Sequence, residues 1–66
     1  MTVTLNGRRQ ILPEGTTLAE TVSRFYPDSG PLVVERNGRF VGPGEWTRTL
    51  LADGDVLELV QFVGGG

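Results

Sequence analysis

The sequence predicts an α+β domain, with one main helix packed across a mixed sheet of four or five strands. Three observations carry this. Two Asn-Gly pairs, Asn6-Gly7 and Asn37-Gly38, each lie between short runs of strand-forming residues. One stretch with a helix-start signature, Thr17 to Phe25, separates them. A last alternating run, Val56 to Val63, leads into three glycines.

Thr2-Val3-Thr4-Leu5 alternates polar and apolar residues with period two and reads as a strand. Asn6-Gly7 turns it back, because both residue types take positive φ cheaply. Arg8 to Pro13 is the return strand, with Ile11 and Leu12 as its apolar content, and Pro13-Glu14-Gly15 breaks it. Thr17-Leu18-Ala19-Glu20 fits a capping box, with Thr at the N-cap and Glu three residues on. Leu18, Val22 and Phe25 follow at i, i+4, i+7 and share one helical face. Pro27 ends the helix, and Asp28 to Pro31 is a loop. Leu32 to Arg36 is the third strand, Asn37-Gly38 the second hairpin turn, and Arg39 to Val41 a short fourth strand.

Gly42-Pro43-Gly44 leads into a short helical turn with Trp46 and Leu50 at i, i+4. Asp53-Gly54-Asp55 is a turn, and Val56 to Val63 is the longest strand-like run. A single helix with a hairpin on each side, then a last strand, is the plan of a ubiquitin-like β-grasp. In that plan the first and last strands lie parallel at the sheet centre, joined by a right-handed crossover. Residues 1–63 form the domain. Residues 64–66 form a flexible tail, since glycine loses the most backbone entropy on ordering.

The chain has 66 residues and a mass of 7.1 kDa. A domain this small buries only about 60% of the surface its unfolded chain exposes. It does not enclose a deep active site of its own. Histidine and cysteine are both absent, which excludes imidazole general-base chemistry, thiolates, disulfides and ordinary zinc or haem sites. The net charge of −2 argues against nucleic-acid binding, which needs a basic face. All six bases are arginine, so no side chain offers an amine for acylation. No basic leader precedes a long apolar run, so no signal peptide is visible. Apolar stretches such as Leu32–Val34 are far too short to cross a membrane. The expectation is a cytoplasmic protein, monomeric when free, with no metal or bound cofactor.

In the last strand, Leu57 and Leu59 fall on one face and Val56, Glu58, Val60 and Phe62 on the other. If the leucines face the helix, Val60 and Phe62 face outward beside Glu58. That is either a docking patch near the end of the chain or a pair half-covered by neighbouring side chains.

Gly64-Gly65-Gly66 has two readings as well: a frayed end, or a tail that delivers a carboxylate. Three extended residues reach roughly 10 Å. Without Cβ atoms, such a tail can thread a channel too narrow for other sequences. The one reactive group it delivers is the α-carboxylate of Gly66. A carboxylate becomes an electrophile once ATP adenylates it. No Gly-rich loop followed by Lys supplies an ATP site here, so a partner enzyme must supply it. With no Cys and no Lys, every nucleophile comes from elsewhere too. These residues describe a carrier.

The chain resembles the ThiS family of sulfur carrier proteins of thiamine biosynthesis. The resemblance rests on Leu5-Asn6-Gly7, Glu14-Gly15-Thr16-Thr17-Leu18 and Val33-Val34-Glu35-Arg36-Asn37-Gly38. Its most specific block is Ala52 to Gly66, which joins turn, strand and diglycine end at a fixed spacing. The resemblance implies that an E1-like adenylyltransferase of ThiF type adenylates Gly66. It implies a thiocarboxylate made with sulfur from a cysteine desulfurase, and sulfur donation to a thiazole synthase of ThiG type. Gly65 is then the other half of the required diglycine, and Gly64 holds a position open to small residues. Val60, Phe62 and Glu58 belong to the partner-facing surface. Val41-Gly42-Pro43-Gly44 departs from the Val-Pro-Arg often found there in the family.

Other readings share the same acyl-adenylate. One is a sulfur carrier of another pathway, such as the small subunit of molybdopterin synthase or a carrier for cysteine or tRNA sulfuration. Gln61-Phe62-Val63 before the glycines, in place of prolines, favours the thiamine branch. Another is a ubiquitin-like modifier joined to amines through Gly66. A third is a β-grasp binding module with an inert tail.

Overall fold

Asn6 and Asn37 both adopt the left-handed backbone, at φ 48° and 53°, and each is followed by a glycine at φ 81°. Two consecutive positive φ values make each Asn-Gly pair the hairpin turn expected of it. The molecule is described by a computed structural model over residues 1–28 and 30–62. Its strands are β1 (Thr2–Leu5), β2 (Arg8–Ile11), β3 (Leu32–Arg36), β4 (Arg39–Val41) and β5 (Val56–Gln61). The helix α1 spans Leu18–Phe25, and a 3-10 helix spans Pro43–Arg48.

The five strands form one sheet in the order β2-β1-β5-β3-β4. β1 and β5 are parallel neighbours at its centre, and the other pairings are antiparallel. The sequence allowed four or five strands; the sheet has five. Val3 and Leu5 of β1, Val34 of β3 and Leu57 and Leu59 of β5 turn to the same side. Leu18 and Val22 of α1 meet them there, with Leu12 and Leu51 closing the cluster. Leu18, Val34 and Leu57 have no exposed surface. Full burial of such a side chain stabilises the fold by about 1.5–3 kcal/mol. Phe25 is half-buried against this core.

The start of α1 is the capping box read from the sequence. Thr17 Oγ1 accepts from the Glu20 N–H at 3.1 Å, and Glu20 Oε1 accepts from the Thr17 N–H at 2.9 Å. The Tyr26 N–H donates to the Val22 carbonyl and closes the other end. Pro27 follows.

Three sequence expectations are corrected. The return strand ends at Ile11 rather than at Pro13: Ile11 is 80% exposed, while Leu12, just beyond β2, is buried. Ile11 pairs with Thr2 on the side of the sheet away from the helix, so alternation leaves Leu12 to turn inward. Leu50 does not share a face with Trp46. The segment is a 3-10 helix of three residues per turn that ends before Thr49, so an i, i+4 pair does not line up. Leu50 instead bridges to Thr17 and is exposed, whereas Trp46 is half-buried and its indole N–H donates to the Val41 carbonyl at 3.0 Å. Finally, β5 ends at Gln61 rather than at Val63, and Val63 lies outside the described residues.

Candidate functional site

β5 is the last strand before the terminal glycines in the sequence, so the contacts that hold β5 fix the end of the described chain. On one side, β3 pairs with it from Leu32↔Gln61 to Arg36↔Leu57. The Phe62 N–H still donates to the Pro31 carbonyl at 3.1 Å, one residue past the strand. On the other side, the parallel pairing with β1 covers Thr4↔Val56 and Leu5↔Leu57. There β1 turns away at Asn6, and the Asn6 side chain takes over. Its Oδ1 accepts from the Leu59 N–H at 2.8 Å, and its Nδ2 donates to the Leu59 carbonyl at 3.1 Å. Nδ2 also donates to the Tyr26 hydroxyl at 2.7 Å, which ties the clamp to the end of α1.

The beginning of β5 is held by a second cluster. Asp55 is buried, and its Oδ2 accepts from Arg36 Nε at 2.9 Å and from the Ala52 N–H at 2.8 Å. Its Oδ1 accepts from Asn37 Nδ2 at 3.0 Å. Asn37 Oδ1 accepts in turn from the Val56 N–H at 2.9 Å. Burial pushes the Asp55 carboxyl up. The hydrogen bonds from Ala52, Asn37 and Arg36, with the Arg36 charge, outweigh it and hold the group below its ordinary value. These contacts fasten the β3–β4 turn to the first residue of β5.

The side chains of β5 divide as alternation requires. Leu57 and Leu59 enter the core, and Val56, Glu58, Val60 and Phe62 are exposed. Val60 is 54% and Phe62 56% exposed, so neighbouring side chains leave more than half of each uncovered. The register extends this outer face across the sheet. Val33 stands opposite Val60, Glu35 opposite both Glu58 and Phe40, and Thr4 opposite Val56. Cross-strand partners share a face. Sequence reasoning selected the β5 members of this face. Phe40, 66% exposed, escaped it because strand order decides which residues lie beside β5. Gly64, Gly65 and Gly66 lie outside the described residues.

A cleft of about 300 Å³ opens elsewhere, between the β1–β2 turn and the end of α1. It is lined by Leu5, Asn6, Arg8, Gln10, Phe25 and Tyr26. The amide of Asn6 and the hydroxyl of Tyr26 already bond each other there. Among the described residues, no three acidic, histidine or cysteine side chains are grouped as a metal ion requires. No helix among them is long and apolar enough to cross a membrane.

Comparison with known proteins agrees with this geometry. The chain superposes on the crystal structure of a thiamine biosynthesis protein (ThiS) from Geobacter metallireducens with a TM-score of 0.84. The two are 29% identical, and each chain is covered completely. The solution structure of a thiamine biosynthesis protein from the same organism matches with a TM-score of 0.79, covering 100% of this chain and 88% of that one. The sulfur carrier protein ThiS of Bacillus subtilis is 33% identical over 63 residues, which is 94% of this chain and 96% of that protein. The whole chain is also 32% identical to part of a thiazole synthase from Paramagnetospirillum magneticum, of which it spans 20%. The fold is thus the ubiquitin-like β-grasp of the ThiS structure, a mixed five-stranded sheet on one helix. A family profile matches from residue 2 through residue 66, glycines included, and the chain belongs to the ThiS family.

Proposed function

We propose that this chain is the sulfur carrier of thiamine biosynthesis and that the carboxylate of Gly66 carries the sulfur. The observation behind this reading is the match to the ThiS family over residues 2–66, which runs through the terminal glycines. The similarity to the Bacillus subtilis sulfur carrier over nearly the full length of both proteins supports it. The chain is a carrier rather than a catalyst, and it acts as a co-substrate of its partners.

The chemistry follows from the carboxylate. A Gly66 carboxylate oxygen attacks the α-phosphorus of ATP on a partner adenylyltransferase of ThiF type, and pyrophosphate leaves. The product is an acyl-adenylate. A sulfide-level nucleophile, its sulfur drawn from the persulfide of a cysteine desulfurase and released by two-electron reduction with a thiol, attacks the acyl carbon. A C–S bond forms, the C–O bond to AMP breaks, and the thiocarboxylate remains. The acceptor of that sulfur is a thiazole synthase of ThiG type. The similarity of the whole chain to part of a protein named thiazole synthase supports that pairing. In this reading residues 1–63 are the handle, Gly64 and Gly65 belong to the tail that bears the carboxylate, and Val60, Phe62 and Glu58 meet the partner. The work is done in the cytoplasm.

The test is intact mass after incubation with ATP, the adenylyltransferase of the same organism and sulfide. A gain equal to one oxygen replaced by sulfur is expected. An unchanged mass, with the enzyme active on another carrier, rejects the proposal. Isopeptide-linked conjugates in cell extracts would point instead to a protein modifier.

A further inference from the structure

The outer face of the sheet places two like charges directly across from each other. Glu58 of β5 and Glu35 of β3 are cross-strand partners, and both are exposed. Opposed like charges destabilise a sheet. Among the described residues neither carboxylate takes part in an ion pair; the ion pairs there join Met1 to Glu14, Arg36 to Asp55 and Arg48 to Glu45. The one base among the strand residues of this face is Arg9, which stands beside Thr4 in the next row, two strands away from Glu58.

The surroundings of the pair are apolar. Phe40 completes its row on the β4 side. Val33 and Val60 form the row beyond, Val56 lies in the row before, and Phe62 follows at the end of β5. On a bare surface two glutamates would simply be hydrated. Here they sit inside a patch that gains by being covered. Covering it removes their water, which is costly unless a positive charge arrives at the same moment. Arginine suits this better than lysine. Its planar fork carries five donors, enough to bond two carboxylates at once, and it is more weakly hydrated.

We propose that this face docks a protein that inserts an arginine side chain between Glu35 and Glu58 and lays apolar groups over Phe40, Val60 and Phe62. The like-charge repulsion in the free chain is then relieved only in the complex. The inference rests on the carrier reading in one respect: the partner to be tested is the enzyme that adenylates Gly66.

The experiment measures thiocarboxylate formation by intact mass against enzyme concentration, at low and high salt, with thermal melts of each variant alone. The variants are Glu35→Gln, Glu58→Gln, the two together, and Asp28→Asn as a control for net charge. The double variant is expected to need about tenfold more enzyme for half-saturation. Its salt dependence should flatten. Its melting midpoint should hold or rise, because the repulsion is gone, and Asp28→Asn should match the parent. If the parent is thiocarboxylated and the double variant half-saturates at the same concentration, the inference falls and the carrier reading stands. A loss in Asp28→Asn equal to that in the double variant also overturns it, as a net-charge effect. A parent that never gains sulfur, with the enzyme active on another carrier, overturns both.

Discussion

The side-chain amide of Asn6 stands in for a peptide group opposite Leu59, a residue 53 positions later in the chain. It donates and accepts as a neighbouring strand would, and so extends the β1–β5 ladder past the point where β1 turns away. Asn6 does this while occupying the first turn position at φ 48°. One residue thus serves the hairpin and the central parallel pairing together.

Substitutions at Asn6 separate the two roles. Asn6→Gly keeps the turn but loses both bonds to Leu59, and we expect a loss of about 1–2 kcal/mol. Asn6→Ala loses the bonds and also strains the left-handed backbone, so about 2–3 kcal/mol is expected. Urea denaturation measures both. Amide exchange at the Leu59 N–H should accelerate in each variant; an unchanged rate would mean that the amide does not hold the strand.

Asp55 sets an acid limit on stability. Folding holds its carboxyl below the ordinary value of 3.8, so the unfolded chain takes up the proton first as pH falls. The stability this group contributes is complete above about pH 5 and drains away as pH drops through the folded value. Asp55→Asn should flatten that limb between pH 5 and pH 3. At pH 7 it should cost about 1–3 kcal/mol, because in either orientation the new amide turns a donor toward an existing one, at Arg36 and Ala52 or at Asn37. Urea midpoints across that pH range test both statements. An acid limb as steep in the variant as in the parent would assign it to another carboxylate.

The helix cap gives a smaller, local effect. Thr17→Ala removes the acceptor for the Glu20 N–H and should cost about 1 kcal/mol. It also removes the hydroxyl that, with the Thr17 N–H, holds the exposed Glu20 carboxyl below its ordinary value. Titration of Glu20 by NMR should therefore show its pKa rising in the variant. Thr17→Ser should restore both the stability and the pKa, since it keeps the oxygen.

These positions differ in how far the sequence alone exposes them. The capping box is a matter of four residues, and the Asn-Gly turns of two, so local chemistry is enough to read them. Alternation in Val56 to Phe62 likewise assigns faces without any fold. The second role of Asn6 is invisible on that basis, because its partner is distant in the chain and reached only once β1 and β5 lie side by side. The same holds for Asn37, whose amide bonds Asp55 and Val56. Glu35 became part of the candidate face only through the register of β3 on β5. Ile11 and Leu50 show the reverse. The apolar content of the return strand does not say which of Ile11 and Leu12 turns inward, and i, i+4 spacing pairs Leu50 with Trp46; the pleat of β2 and the 3-10 turn leave Ile11 and Leu50 exposed.

The terminal glycine tests reach rather than chemistry. Deleting Gly66 leaves Gly65 as the last residue, so the shortened chain still ends in an unhindered glycine carboxylate. It is only shorter, by about 3.3–3.6 Å. Nucleophilic attack on ATP depends on the distance between reacting atoms, and even a 1 Å misplacement can cost about a hundredfold. We therefore expect thiocarboxylation of the shortened chain to fall by at least that factor at saturating enzyme. Docking should be little changed, since Val60, Phe62 and Glu58 are untouched. The unfolding free energy should match the parent's within about 0.5 kcal/mol. Competition measures the docking part: an inactive shortened chain should inhibit thiocarboxylation of the parent with a half-inhibition constant close to the parent's own half-saturation. A shortened chain that is activated at the parent's rate would show that the tail's length is not what brings the carboxylate to ATP.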